Sequence, residues 1–274
     1  MKRTGFTLIE MLVVIGIVAL ITALLFPAFS RVREKGRQTV CLSNERQLGV
    51  AILMYTHDND DFLPPDYNAW AGRIYPYVKN VDVFHCPSDA TTSQPPYFPV
   101  SYGVNVDLRR VIVTTPGGIT RVPRAMADVS GKTLLLFEVV HSSADLLMPS
   151  EGFEDDLPAP LATSVGGNGR WLSVTGVWMG SGRHFDINED VRYATGIMSD
   201  VGTPPFGNYQ DYEGAGRHQG GANFLYWDAH AKWLAPQQVS TGSDAASPNS
   251  EPDYTYGRAA GSENSRFAAT FSAK

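Results

Sequence analysis

Twenty consecutive residues without a charged side chain, Met11 to Ser30, constrain the fold of this chain more than any other feature. Most of them are Leu, Ile, Val, Ala or Phe, and an α-helix of this length spans roughly 30 Å, the thickness of a bilayer core. Glu10 directly precedes the run. Because a carboxylate at membrane depth is costly to bury, an acid there is a functional hypothesis in itself. We therefore predict a membrane-inserted helix with one charge near its N-terminal end.

A short basic leader, residues 1–5, precedes this helix. Residues 5–10 have the sequence Gly-Phe-Thr-Leu-Ile-Glu, which resembles the processing site of type IV prepilins and type II secretion pseudopilins. The resemblance implies that a prepilin peptidase cleaves between Gly5 and Phe6, methylates the new Phe6 amine, and yields a mature chain that polymerises through its N-terminal helix. It also implies that Pro27 is the helix-breaking proline of such helices.

Glu10 would be the fifth residue of the mature chain and is the predicted assembly residue. In a helical stack, the Phe6 amine of one subunit can meet Glu10 of a neighbour, which pairs two charges in apolar surroundings. Removing one partner of a buried charge pair is expensive, so such a pair would set the register of assembly. The alternative is an acid favoured in the first helical turn by the helix dipole.

Two other classes of N-terminal segment, the cleaved secretory signal and the signal anchor, also begin with basic residues followed by an apolar run. A cleaved secretory signal requires small residues around a cleavage site after the apolar run, and Pro-Ala-Phe-Ser at residues 27–30 matches this poorly. A plain signal anchor is the other alternative, and only the string at residues 5–10 argues against it.

The acidic charge balance argues against nucleic acid as the main partner. The 274 residues carry a formal net charge of -6, and loss of Lys2 and Arg3 with the leader would leave 20 basic against 28 acidic side chains. Basic residues also follow the helix, at Arg31, Arg33, Lys35 and Arg37. Counting them would place the body in the cytoplasm. We give more weight to the processing site at residues 5–10 and expect an inner-membrane protein with a periplasmic head. After assembly, this head would form part of a filament.

The helical pattern continues beyond the membrane to about residue 57. Cys41, Leu48, Ile52 and Tyr55 share one helical face, and the segment Asp58-Asn59-Asp60-Asp61, with its three acids, ends the helix. We divide the chain into a leader 1–5, a helix 6–57 (transmembrane over 6–29, amphipathic over 30–57), a globular head 58–235 and a flexible tail 236–274. The two cysteines, Cys41 and Cys86, form either a disulfide, as expected outside the cytoplasm, or two buried thiols.

The head is predicted to be β-rich, with long loops. Strand candidates, rich in β-branched and aromatic residues, are Arg110–Thr115, Lys132–Val140, Trp171–Trp178 and Asn223–Leu234. The tail after Pro236 consists largely of Ser, Gly, Asn, Ala and Pro, which favours disorder. The predicted class is α+β and pilin-like, with a long N-terminal helix packed on an antiparallel sheet.

A second resemblance covers the head. His218 is followed after nine residues by Asp228-Ala229, which resembles the His-x9-Asp-Gly signature of a family of pilin-like, processing-associated proteins. Cys-Leu-Ser-Asn at residues 41–44 and Cys-Pro-Ser-Asp at residues 86–89 match two further stretches of that family. From the residues themselves we predict a hairpin across Asp228-Ala229. The alanine disfavours a tight two-residue turn and indicates a wider loop.

Metal sites are weak alternatives. The hairpin could bring His218, Asp228 and His230 together, but a structural role is favoured, in which His218 bonds to the turn and Asp228 caps it. Oxygen ligands at alternate positions, Asp186, Asn188 and Asp190, make a poor calcium loop because Val191 replaces the required glycine. We therefore expect no cofactor, with calcium as the weaker possibility.

The sequence contains no nucleophile elbow, phosphate-binding glycine loop or CxxC pair, so we predict a structural protein rather than an enzyme. The predicted function is that of a subunit of a type II secretion pseudopilus or type IV pilus-like filament. Its predicted partners are other pilin-like subunits, the prepilin peptidase and the inner-membrane assembly machinery. The alternative is a membrane-tethered module that binds a polysaccharide or surface partner, and a metalloenzyme is a third possibility. Stacking candidates for the binding module are Trp70, Trp171, Trp178 and Tyr209.

Overall fold

The computed structural model combines one long helix with a β-rich head, which confirms the predicted α+β, pilin-like class. It describes residues 7–64, 70–93, 97–108, 111–115, 118–122, 129–147, 166–167, 172–173, 191–196, 198, 214–242, 244–253 and 257–274. The proposed calcium residues, the predicted loop 151–160, all but the last three residues of the predicted loop 202–216, and three of the four aromatic stacking candidates lie outside these ranges. The fourth candidate, Trp70, is fully buried in the core, so it cannot stack on an external ligand.

Helix α1 extends over Leu8–Asp58, 51 residues or about 77 Å at 1.5 Å per residue. In this single chain the helix continues through Pro27, and a break there on assembly stays a prediction. A proline inside a helix leaves one carbonyl of the preceding turn without its N–H donor. That carbonyl belongs to Ala23, whereas the Ser30 hydroxyl donates to the carbonyl of Pro27 itself at 3.1 Å. The predicted end is confirmed, since Asn59 caps the helix and Asp60 and Asp61 adopt positive φ.

The main sheet of the head is built on four antiparallel strands, β11, β10, β5 and β2. The described strands are β1 Phe98–Pro99, β2 Tyr102–Asn105, β3 Val111–Thr115, β4 Gly118–Val122, β5 Leu134–Val140, β6 Ser143–Ala144, β7 Gly166–Gly167, β8 Leu172–Ser173, β9 Arg192–Tyr193, β10 Ala222–Tyr226, β11 Ala231–Leu234, β12 Val239–Ser240 and β13 Ala269–Thr270. The order in the main sheet is β11-β10-β5-β2-β7-β8, and β9 pairs with the end of β5. Three of the four predicted strand regions thus contain strands over most of their length, and within Trp171–Trp178 only β8 is described.

Strand β5 lies between two apolar layers, and all seven of its residues are buried. On one face, Leu136 joins Leu48 and Leu225 in a cluster between the sheet and α1. On the other face, Phe137 and Phe224 pack against a second cluster that includes Phe271. Because neighbouring side chains of a strand point to opposite faces, this near-continuous apolar strand serves both layers. A short helix α2, Trp70–Val78, covers the far end of α1.

The C-terminal segment forms part of this second layer, so the prediction of a flexible tail is wrong for its described residues. Strands β12 and β13 pair in parallel, and Phe271 packs against Phe137 with ring centroids 5.3 Å apart. The buried Asn105 amide donates to the Phe271 carbonyl at 2.9 Å. Small residues make this packing possible, because a Cβ at Gly261 would lie 2.2 Å from the Pro248 carbonyl oxygen. The small residues that are typical of disordered segments here allow the backbone to pack closely.

The predicted hairpin is present as β10 and β11, with Ala222 opposite Leu234. The turn is wider than two residues, as expected: the Ala229 amide donates to the Tyr226 carbonyl at 3.0 Å, and the Tyr226 amide donates to the His230 carbonyl at 2.9 Å. Ala229 has φ of 64°, the left-handed conformation that favours glycine. This arrangement is a three-residue loop whose last position is left-handed.

Candidate functional site

The N-terminal end of α1 is closed by a capping box between Thr7 and Glu10. Glu10 Oε2 accepts hydrogen bonds from the Thr7 backbone amide at 2.8 Å and from its hydroxyl at 2.6 Å, while the Glu10 amide donates to the Thr7 hydroxyl at 3.4 Å. The second carboxylate oxygen, Oε1, makes no hydrogen bond to the described residues. Gly5 and Phe6 lie outside those residues. The single chain therefore fixes the position of Glu10 and leaves one of its oxygens for another donor.

The first half of α1 presents apolar side chains on every side. Its exposed large residues between Leu8 and Val32 are Leu8, Ile9, Met11, Leu12, Val13, Val14, Ile15, Ile17, Val18, Leu20, Ile21, Leu24, Leu25, Phe26, Phe29 and Val32. This is the only helix among the described residues that is long and apolar enough to cross a membrane. Nothing in the described head covers this surface, and soluble monomers rarely expose an apolar patch of this extent. Its partners are therefore lipid or other protein chains.

The second half of α1 is joined to the head by a disulfide between Cys41 and Cys86, whose Cα atoms are 5.0 Å apart. This confirms the predicted pairing over the alternative of two thiols. The bond closes a loop across a sequence separation of 45 residues, and both cysteines are fully buried. The predicted shared face of Cys41, Leu48 and Ile52 is also confirmed, since all three lie in the core beneath the sheet.

Next to the disulfide lies a buried polar cluster centred on His218. Its Nδ1 is 2.7 Å from Glu34 Oε1 on α1, and its Nε2 is 2.9 Å from Glu138 Oε1 on β5. The same Nε2 is 3.7 Å from Cys86 Sγ. Burial alone would lower the pKa of His218, but the hydrogen bond and charge of Glu138 and the bond to Glu34 outweigh it and raise that pKa. The imidazole therefore connects the helix to the central strand.

Further bonds fix the residues around this histidine. Asn223 donates its backbone amide to Glu138 Oε2 at 3.3 Å and its side-chain amide to the Gln38 carbonyl at 3.2 Å. Burial favours the neutral form of Glu34, but its hydrogen bonds from His218, Arg37 and Ser88 win and lower the pKa of Glu34. The carboxylates of Glu34 and Glu138 are therefore held on opposite sides of the imidazole.

A buried ion pair orders the stretch that follows Cys86. Arg217 Nη2 lies 3.1 Å from Asp89 Oδ2, and both side chains are nearly inaccessible to solvent. Asp89 also accepts from the Ser101 hydroxyl at 2.7 Å, and that hydroxyl accepts from the Cys86 amide at 2.9 Å. Arg217 thus acts through Asp89 and Ser101 on the position of the second cysteine.

Glu45 differs from the other buried acids of this region, because the described residues provide it with no hydrogen-bond donor. It is fully buried on α1, and neither carboxylate oxygen has a hydrogen-bond partner among the described residues. Burial, together with the charge of Glu138, raises the pKa of Glu45 well above its usual range. A neutral carboxylic acid or a nearby cation is the state in which such a group is tolerated.

Asp228 and His230 lie at the opposite end of the hairpin from His218. His230 Nδ1 is 2.5 Å from Asp228 Oδ1, and the His230 amide donates to the same oxygen at 3.2 Å. Asp228 therefore caps the turn as expected. The idea that His218 bonds to this turn, or joins these two residues in a metal site, is wrong, because His218 belongs to the disulfide region. Its carbonyl instead accepts from the Trp233 indole at 2.8 Å.

Sequence reasoning missed the acids that meet His218. Glu34 and Glu45 have the appearance of ordinary polar residues on an amphipathic helix. Glu138 did leave a signal, since it is the single charged residue in the otherwise apolar strand Leu134–Val140. A charge in a fully buried strand requires a partner, so a search for a cation should have followed from it.

The first 26 residues of the chain match the family model of the prokaryotic N-terminal methylation motif. No curated protein and no solved structure matches the chain. The motif match coincides with the capping box and the exposed apolar half of α1. The chain therefore carries a prepilin-type N-terminal cleavage and methylation segment, which continues into a helix long and apolar enough to cross a membrane.

Proposed function

We propose that this protein is a structural subunit of a pseudopilus or type IV pilus-like filament, cut between Gly5 and Phe6 and assembled through the first half of α1. One observation carries the proposal: the segment that matches the methylation motif continues into a helix that is apolar on every side and that the described head leaves uncovered. In the membrane precursor, lipid covers this helix. In a filament, the same surface would be covered by the helices of other subunits.

Glu10 would select the position of each incoming subunit. The capping box occupies Oε2 and leaves Oε1 without a hydrogen bond to the described residues, so that it can accept one from another chain. Cleavage before Phe6 would create a new amine four residues from Glu10 in sequence. Because the α1 apolar surface surrounds the carboxylate, an amine of a neighbouring subunit would lower the cost of burying it.

The proposed location places the head on the periplasmic side of the inner membrane. A disulfide supports this side, because such bonds persist in oxidising compartments. The basic residues that follow the membrane segment favour the opposite orientation by charge count alone. We give more weight to the disulfide and the processing segment, and we propose the prepilin peptidase and an inner-membrane assembly platform as partners.

The test compares Glu10→Ala with Glu251→Ala, an exposed acid of the C-terminal segment, in the native host. The expected result is that both proteins are processed and accumulate, but only Glu251→Ala forms filaments visible by electron microscopy of sheared cells. The mass of the N-terminal peptide should correspond to a chain that begins with methylated Phe6. A native protein that still begins with Met1, or filaments that form equally well with Glu10→Ala, would overturn the proposal.

A further inference from the structure

Four buried side chains from different elements bring potential metal ligands together beneath the sheet. The ligand atoms of Cys41 on α1, Cys86 after α2, Glu138 on β5 and His218 before β10 all lie within 4.8 Å of one another. All four residues are fully buried. In the present structure the two sulfur atoms are joined to each other. The same group therefore has a second possible state, in which the sulfurs are thiolates.

We propose that, when the disulfide is reduced, Cys41, Cys86, Glu138 and His218 bind one divalent zinc-class ion in its place. Two thiolates, one imidazole and one carboxylate form a donor set that suits zinc, which binds these groups in tetrahedral geometry. The disulfide and the metal are then alternative links between α1 and the head. This proposal concerns the head alone and does not depend on filament assembly.

The distances between the ligand atoms fit this state. With metal–ligand bonds of about 2.0–2.3 Å, the ligand atoms of a tetrahedral site lie roughly 3.3–3.8 Å apart. His218 Nε2 is 3.7 Å from Cys86 Sγ and 2.9 Å from Glu138 Oε1. Reduction would lengthen the contact between the two sulfurs, and insertion of the ion would widen the short contact between nitrogen and oxygen. Both changes are small movements of side chains.

The histidine is already oriented as a metal ligand. Its Nδ1 faces Glu34 Oε1 at 2.7 Å, while its Nε2 faces the sulfur and Glu138. Metal-binding histidines generally donate their second N–H to a carboxylate or a carbonyl, which fixes the ring and raises its basicity. Glu34 is therefore a positioning residue for the proposed site, and Ser88 and Arg37 hold Glu34 in turn.

Glu45 provides an independent observation that points to a cation. It lies one helical turn from Cys41, on the same face of α1, and it is fully buried without a hydrogen-bond partner among the described residues. Glu138 is close enough to disfavour its ionisation. A divalent ion next to these two carboxylates would add to the positive charge that Arg217 and Arg46 already place near Glu45.

The chemistry balances with a dithiol as the reductant. The bond between the two sulfurs takes up two electrons and two protons, and the dithiol becomes a disulfide. The ion then displaces one proton from each cysteine thiol and the proton on His218 Nε2, so that three protons leave to solvent. Because the cysteines are buried, the newly made chain, before oxidation, is the state in which the metal has the easiest access.

The experiment uses the full chain in detergent, with and without a water-soluble phosphine, titrated with Co²⁺. We expect the reduced chain to bind one ion with thiolate-to-cobalt charge-transfer absorption, and Zn²⁺ to displace it. The oxidised chain should show no such absorption. Zn²⁺ should raise the Tm of the reduced chain and leave that of the oxidised chain unchanged. If reduction unfolds the head, Zn²⁺ should restore its circular dichroism spectrum, and failure to do so overturns the proposal.

Variants separate this site from nonspecific binding. Cys86→Ser and Glu138→Gln should abolish or greatly weaken the charge-transfer absorption, and Glu34→Gln should weaken binding by about 10- to 100-fold. Asp228→Asn is the matched control, because this acid lies at the far end of the hairpin. A reduced, folded chain that binds no Co²⁺, or a loss with Asp228→Asn as large as with Glu138→Gln, would refute the site.

Discussion

The two halves of helix α1 have the same backbone and opposite surroundings. The half from Leu8 to Val32 exposes apolar side chains in every direction, whereas the half from Gln38 to Thr56 buries one face against the sheet. The second half also carries buried polar groups, Glu45 among them. The difference shows that the first half is designed for partners outside its own chain, and the second half for partners within it.

Removal of residues 1–32 is the strongest way to test this division. We expect the shortened protein to remain soluble without detergent, to keep its disulfide and to lose its association with membranes. Its unfolding free energy should fall by about 1 kcal/mol or less, since the hydrogen bond from Gln219 to the Arg31 carbonyl is the contact to the head that is lost. Solubility measurements and thermal unfolding check this, and a head that cannot fold without these residues would contradict the division.

Replacement of both cysteines by serine tests how firmly the second half is held. The loop closed by the bond corresponds to roughly 4 kcal/mol of unfolding free energy by chain entropy. We expect a loss of about this size under oxidising conditions, measured by denaturant titration. The wild-type chain with a reductant, and without metal, should show the same loss, and an unchanged midpoint would show that the disulfide contributes little.

Alanine substitutions at two glycines, one in each half of α1, test the difference between the halves further. A Cβ at Gly49 would lie 2.8 Å from Leu225 Cδ2 and 3.0 Å from Ala229 Cβ, whereas nothing lies within 4 Å of a Cβ at Gly16. We expect Gly49→Ala to destabilise the head by about 1–3 kcal/mol through overpacking. Gly16→Ala should leave the unfolding midpoint of the head unchanged. Equal effects of the two substitutions would contradict the assignment of Gly16 to an outer surface.

The smallest expected effect concerns the turn that packs near Gly49. Ala229 has a left-handed backbone, which costs a non-glycine residue about 1 kcal/mol. Ala229→Gly should therefore raise the unfolding free energy by about 0.5 kcal/mol, after the greater flexibility of the unfolded chain is included. Thermal unfolding of the variant beside Gly49→Ala measures it. A destabilisation would mean that the Ala229 methyl group contributes more through packing than its backbone conformation costs.

Sequence patterns predicted the structural features that depend on residues close together in the chain. The apolar run, the end of α1 near Asn59 and the hairpin around Ala229 follow from periodicity and turn chemistry, and two cysteines allow only one intramolecular pair. The contacts of His218 could not be predicted this way, because Glu34 is 184 residues away in sequence and Glu138 is 80. The packing of the tail was missed because a sequence rich in Ser, Gly and Ala indicates flexibility unless a surface requires close backbone approach, as Phe137 and Asn105 do here.

The continuity of α1 through Pro27 has a mechanical consequence. The head is attached to the helix at Arg31, Glu34 and Cys41, so the first attachment lies at the end of the apolar half, with no linker between the two. A rigid rod fixed to its head in this way transmits torque. Any rotation of the rod about its long axis turns the head through the same angle, and the twist between successive rods would appear directly as the spacing of heads on the outside.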